Sequence, residues 1–119
     1  KKLKILVADP NPIVYIGLKS IFKNSLVFEV FITARLKITL VIIRLVFIDI
    51  IISEINFKNG NINDTIKKVR KNNTEIPIII FTSKANKSKS VNLLKLGASG
   101  FITKNLKKKF IRNVIQEVA

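Results

Sequence analysis

Two stretches of aliphatic, mostly β-branched residues leave this chain few ways to fold. Ile48-Asp49-Ile50-Ile51-Ile52-Ser53 and Ile76-Pro77-Ile78-Ile79-Ile80-Phe81 are apolar at consecutive positions instead of alternate ones. A strand wetted on one face alternates apolar with polar residues, whereas a strand covered on both faces does not. Both runs therefore predict central strands of a parallel sheet with helices on either side. Each run leads into polar groups, Ser53 and Glu54 after the first and Thr82 after the second. A shorter run, Phe101-Ile102-Thr103, ends in Lys104.

The remaining segments supply the other elements. Residues 3–8 read as a strand running into Asp9-Pro10-Asn11-Pro12, a turn cluster that can start a helix because proline is tolerated in the first turn. Ile13, Ile16, Gly17, Ser20 and Ile21 recur at helical spacing, with Lys19 and Lys23 on the other side. Residues 26–33 are rich in Val, Phe and Ile and predict the second strand. In 34–45 β-branched residues dominate, yet Leu36, Leu40 and Ile43 keep a helical period. Parallel strands need a crossover between them, which decides for a helix. A loop is expected over 55–60, a helix on Ile62, Ile66 and Val69, a strand over 76–81 and a helix over 86–96. The fifth strand is expected over 100–103 and the last helix over 106–118, with Leu106, Phe110, Ile111, Val114, Ile115 and Val118 on its inner face. Five strands alternating with five helices predict one doubly wound α/β domain over 1–119, with right-handed crossovers. Functional groups of such a sheet gather at the carboxyl ends of its strands, near the point where the strand order reverses. Asp9, Glu54, Thr82 and Lys104 all fall at those ends.

Composition narrows the chemistry. With 119 residues the chain can bury one core. It has no Cys and no His, which excludes thiol chemistry, disulfides, the usual zinc sites and any imidazole base. Thr82 and Ser83 thus lack the partner a hydroxyl nucleophile needs, and no enzyme is expected. The chain enters its first strand directly, so no secretory signal is expected. Arg44 and Asp49 interrupt the apolar stretch 38–53 before it reaches the ~18 residues of a membrane span, so a soluble domain without membrane contact is expected. The net charge of +15 comes mostly from lysine. It fits either counterion release on a nucleic-acid backbone or a composition rich in Lys, Ile and Asn without a binding role. Few arginines and no aromatics interleaved with the lysines favour the second account. Lys107-Lys108-Lys109 reads as a solvated helix face. Gly97-Ala98-Ser99-Gly100 precedes a strand and lacks the phosphate-loop lysine pattern, so it reads as a tight turn.

The opening Lys4-Ile5-Leu6-Val7-Ala8-Asp9-Pro10-Asn11-Pro12-Ile13-Val14 and the closing Gly97-Ala98-Ser99-Gly100-Phe101-Ile102-Thr103-Lys104 resemble those of the receiver domain of two-component response regulators. The stretch 49–70 aligns with the family's third strand, phosphorylation loop and third helix without a gap. The resemblance covers essentially the whole chain and is greatest to the NarL/LuxR group of transcription factors. It implies a flavodoxin-like (CheY-like) three-layer sandwich around a five-stranded parallel sheet. In that family two adjacent acids and a phosphoacceptor aspartate hold Mg²⁺, a hydroxyl binds the phosphoryl group, and a lysine pairs with the charge. Carried over, Asp9 keeps one acidic position and Pro10 loses the other. Glu54 takes the phosphoacceptor position, Thr82 the hydroxyl, Lys104 the lysine and Phe101 the aromatic switch, while Lys58 replaces a loop proline and Ile62 a glycine. Asp49 is the rival phosphoacceptor, but it lies inside its run instead of at the end, and choosing it breaks the ungapped alignment.

These departures imply weak or absent Mg²⁺ binding, since Pro10 offers no carboxylate. Glu54 is one methylene longer than aspartate, and misplacement by about an ångström costs in-line attack ~10²-fold, so negligible phosphorylation is expected. Glu54 then serves as a fixed anion that hydrogen-bonds Thr82 and pairs with Lys104, or as a structural ion pair of small net worth. The expected function is a phosphorylation-independent receiver that controls transcription through dimerisation or partner contacts. A stand-alone basic domain on nucleic acid and a conventional phosphoacceptor are the rivals. Expected partners are a second copy and a sensor kinase or other regulatory protein, with DNA reached only through a helix-turn-helix domain outside these residues. The expected location is the cytoplasm, or the plastid stroma if organelle-encoded.

Overall fold

The computed structural model describes residues 2–22, 28–58, 60–72, 75–83 and 87–118, with backbone only at Tyr15 and Lys87. Its elements are β1 (Leu3–Ala8), α1 (Pro12–Ile21), β2 (Phe28–Thr33), α2 (Leu36–Leu45), β3 (Ile50–Ser53), β4 (Asn56–Phe57), β5 (Gly60–Asn61), α3 (Ile62–Lys71), β6 (Ile78–Thr82), α4 (Lys87–Leu96), β7 (Gly100–Thr103) and α5 (Lys108–Val118). The main sheet runs in the order β2-β1-β3-β6-β7, and every pair in it is parallel. The strand order reverses between β1 and β3. Positions 26 and 27 of the expected second strand, Lys23 and Asn86 lie outside the described residues.

Alternation along each strand splits the core in two. Ile5 and Val7, Ile50 and Ile52, Ile79 and Phe81, and Ile102 face α1 and α5. Leu6, Ile51, Ile78 and Ile80 face the other layer, where Ile62, Ile66 and Val69 of α3 and Leu93 of α4 meet them. The two-sided burial inferred from the unbroken apolar runs is therefore present. Ile50, Ile79 and Ile80 are fully buried.

Several expected boundaries and faces differ. The fourth strand begins at Ile78 instead of Ile76; Pro77 has no N–H to give a ladder and contributes only its carbonyl, which accepts from Ile51 at 2.9 Å. The expected loop over 55–60 contains a small antiparallel hairpin, Asn56–Asn61 and Phe57–Gly60 being opposite pairs. On α1 the inner face is Val14, Leu18 and Ile21, while Ile13 and Ile16 point outward at 75% and 70% exposure. On α5 Ile111 and Ile115 are buried, but Phe110 and Leu106 are largely exposed and the helix starts two residues later than expected.

Two helix starts are capped by asparagine side chains. Asn11 Oδ1 accepts from the Ile13 N–H at 3.0 Å and Pro12 opens α1, while Asn61 Oδ1 accepts from the Asn63 N–H at 3.0 Å ahead of α3. Helix α3 also carries Asp64 in its first turn and Lys68, Arg70 and Lys71 in its last, matching the helix dipole. Gly97, at φ +126°, ends α4 in a conformation L side chains rarely adopt, and a Cβ there would meet Arg70 Cγ at 2.9 Å. The Arg70 guanidinium uses that space to donate to the Gly97 carbonyl at 3.1 and 2.8 Å.

Candidate functional site

The carboxyl ends of β1, β3 and β7 bring three charged side chains together. Asp9 follows β1, and its backbone N–H bonds the Thr33 carbonyl at 3.0 Å. Glu54 follows β3, its N–H donating to the Ala8 carbonyl at 2.9 Å, so the first two loops are locked side by side. Lys104 follows β7, anchored by its N–H on the Thr82 carbonyl at 2.9 Å. From there its ammonium reaches both acids: Nζ lies 2.8 Å from Asp9 Oδ2 and 2.8 Å from Glu54 Oε1. Asp9 is 1% exposed, and the Lys104 and Glu54 side chains 19% and 13%.

The remaining carboxylate oxygens are held locally. Asp9 Oδ1 accepts from the Asn11 N–H at 2.8 Å, and Glu54 Oε2 accepts from the N–H of Ile55. Burial, the largest single influence, pulls the Lys104 pKa down. The hydrogen bonds and charges of Asp9 and Glu54 together push it up, and the net effect is a raised value. The ammonium also lies 6.0 Å from the centre of the Phe81 ring.

The other expected site residues stand nearby but outside this ion cluster. Thr82 ends β6 with 7% exposure, opposite Thr103 in the β6–β7 ladder. Its hydroxyl makes no hydrogen bond to Glu54, both of whose oxygens are occupied by Lys104 and Ile55. The expected Glu54–Thr82 bond is thus absent, because the longer side chain folds back onto its own backbone. Phe101 is half-buried and packs on the α3–α4 side of the core, paired with Ile80 across the sheet. Asp49 lies at the opposite end of the sheet: its Oδ2 accepts from the Lys4 N–H at 2.7 Å, and its own N–H donates to the Lys4 carbonyl at 2.8 Å. Lys58 is exposed at the turn of the β4–β5 hairpin.

Sequence reasoning missed Ile55, whose N–H fixes the second Glu54 oxygen; a backbone donor leaves no mark on side-chain pattern. Among the described residues no three His, Cys, Asp or Glu side chains converge as metal ligands do, and no helix is long and apolar enough to cross a membrane.

Comparison with known proteins follows this geometry. Among curated proteins none matches the sequence. Solved structures match closely in shape. The chemotaxis protein CheY4 of Vibrio cholerae superposes with TM-score 0.91 at 21% identity, covering 100% of both chains. A LuxR-family two-component response regulator from Aurantimonas gives 0.89 at 19% identity, over 99% of this chain and 85% of the other. The beryllofluoride-activated NtrC4 receiver domain dimer gives 0.87 at 18% identity, over 97% and 94%. At these identities the likeness establishes the CheY-like, flavodoxin-like fold. The sequence model of the response regulator receiver domain matches residues 5–116, nearly the whole chain, and so this chain belongs to the receiver domain family of two-component response regulators.

Proposed function

We propose that this receiver works without phosphorylation, as a regulator of transcription acting through dimerisation or contacts with partner proteins. The observation carrying this reading is the Lys104 ammonium, placed 2.8 Å from both Asp9 and Glu54. A positive charge already pairs with both acids that would face a divalent cation, and Pro10 supplies no third carboxylate. Mg²⁺ prefers near-octahedral oxygen ligation with several waters retained, and this donor set does not suit it. Glu54, at the phosphoacceptor-equivalent position, has both oxygens engaged by Lys104 and Ile55, so neither is presented for in-line attack. With Thr82 unattached to Glu54, the fixed charge acts through Lys104, which directly follows β7, the strand that carries Phe101.

A sequence with no Cys thiol and no His imidazole base favours a signalling role over catalysis. Among the described residues the lysines are spread over both faces: Lys67, Lys68 and Lys71 lie on α3, on the opposite side of the sheet from the exposed Lys107, Lys108 and Lys109. Direct nucleic-acid binding by this domain therefore ranks lower, and DNA is reached through a domain outside these residues, as in the NarL/LuxR group. A bacterial-type cytoplasm, or a plastid stroma, suits such a partner set.

The test is intact-mass spectrometry after incubation with Mg²⁺ and a small acyl phosphate. No adduct is expected on this chain. A phosphate adduct that disappears in Glu54→Gln overturns the proposal. Sedimentation of Glu54→Gln, compared with the unaltered chain, separates a regulatory charge from a structural one: a shift in self-association or partner affinity supports regulation.

A further inference from the structure

Helix α2 is apolar on two sides, and the core uses only one. Leu36, Leu40 and Ile43 pack against the sheet side, with Thr39 fully buried among them. On the outward side Ile38, Val41 and Leu45 are 41%, 46% and 79% exposed, and Phe47, just past the helix, is 72% exposed. Positions 38, 41 and 45 follow the spacing i, i+3, i+7 within the helix. That is the a/d seam of a heptad pattern. In this register exposed Lys37 and Arg44 fall at g positions, while α2 itself holds no acidic residue.

We propose that this face docks an amphipathic helix of another protein, one with aliphatic residues along its own seam and Glu or Asp at the flanking e and g positions. The charges select the occupant. A second copy would set Lys37 and Arg44 against the same cations of its mate, on chains already carrying +15 each, and like charges at flanking positions disfavour pairing. An anionic bilayer would also satisfy the cations, but helices that bind anionic lipid gather about four to eight basic residues, and α2 brings Lys37 and Arg44. The ten-residue helix is about 15 Å long, less than two heptads, so the contact suits a reversible regulatory partner. No residue of the Asp9–Glu54–Lys104 cluster takes part, and the inference stands independently of how that cluster functions.

The test titrates labelled 21-residue helical peptides into the 119-residue chain. One has Leu at a and d with Glu at e and g; a second has Lys at e and g; a third keeps the Glu residues but has Ser at a and d. Phosphatidylglycerol vesicles run in parallel. Saturable, salt-weakened binding of the first peptide is expected, about tenfold or more tighter than either control. Leu45→Glu should abolish it, and the double variant Lys37→Glu/Arg44→Glu should transfer preference to the lysine peptide. Circular dichroism melts confirm that both variants fold, since all the altered side chains are exposed. Equal binding of the first and third peptides, no binding, or indifference to Leu45→Glu overturns the proposal. Vesicle binding without peptide binding overturns it in favour of lipid, and self-association removed by Leu45→Glu overturns it in favour of a second copy.

Discussion

The two ends of β3 each carry an acidic residue, and they are used in opposite ways. Asp49, at the amino end, is bound to the backbone of Lys4 and staples β1 to β3 where pairing begins. Glu54, at the carboxyl end, shares an ammonium with Asp9 and accepts from its own neighbour's N–H. The first arrangement is a neutral donor meeting a charged acceptor within a sheet edge. The second gathers two negative charges and one positive charge in a largely dry pocket. Carboxylates of one strand thus serve as structure at one end and as a charge device at the other, and side-chain type alone does not tell them apart.

The contrast can be broken most strongly at Lys104. Lys104→Met removes the ammonium that the buried Asp9 shares with Glu54 and should lower stability by about 3 kcal/mol in urea unfolding. A change under about 0.5 kcal/mol would show that the cluster is solvated and weakly coupled. Asp49→Ala removes the acceptor of the Lys4 N–H and should cost about 1–2 kcal/mol, with no effect on self-association or partner binding. An altered association in that variant would erase the distinction between the two ends. Glu54→Gln keeps the shape but removes one charge, leaving Asp9 and Lys104 paired; a loss of about 1 kcal/mol or less is expected.

The smallest effect is on pH dependence. Lys104 titrates above the ordinary lysine value of 10.5 in the folded chain, so the folded state holds its proton longer than the unfolded state does. The stability it contributes is fully present below 10.5 and falls as pH rises through the raised folded value. Unfolding measured from neutral to strongly alkaline pH should show this decline in the unaltered chain and a shallower one in Lys104→Met. Parallel slopes would mean that other lysines set the alkaline limit. A sharper test supplies a carboxylate at position 10 and shortens the one at 54: Pro10→Asp/Glu54→Asp should form an acyl phosphate that is not expected on the unaltered chain.

The sheet was legible because its strands are extreme: Leu3–Ala8 and Gly100–Thr103 fall where the sequence predicts. Periodicity failed on α1, where Ile13, Ile16 and Ser20 compete with Val14 and Leu18 for the inner face that Ile21 shares with either set. Both sets keep helical spacing, and only packing chooses between them. The same excess hides the outward stripe of α2. The β4–β5 hairpin has two residues a side, too few for an alternation to show. The convergence of Asp9, Glu54 and Lys104 was readable from their places after apolar runs, because strand ends in a parallel sheet share one rim. The absence of a Glu54–Thr82 bond was not, since it depends on where one extra methylene lets a carboxylate curl.

Lys104 stands beyond the last strand of the sheet yet grips groups belonging to the first and third strands of the chain, while β6 between them lends no charge. A single nitrogen therefore ties three separate loops into one mechanical unit. A pull on the segment leading into α5 would strain its hold on Asp9 and Glu54 together, so the rim is mechanically coupled from its last strand to its first.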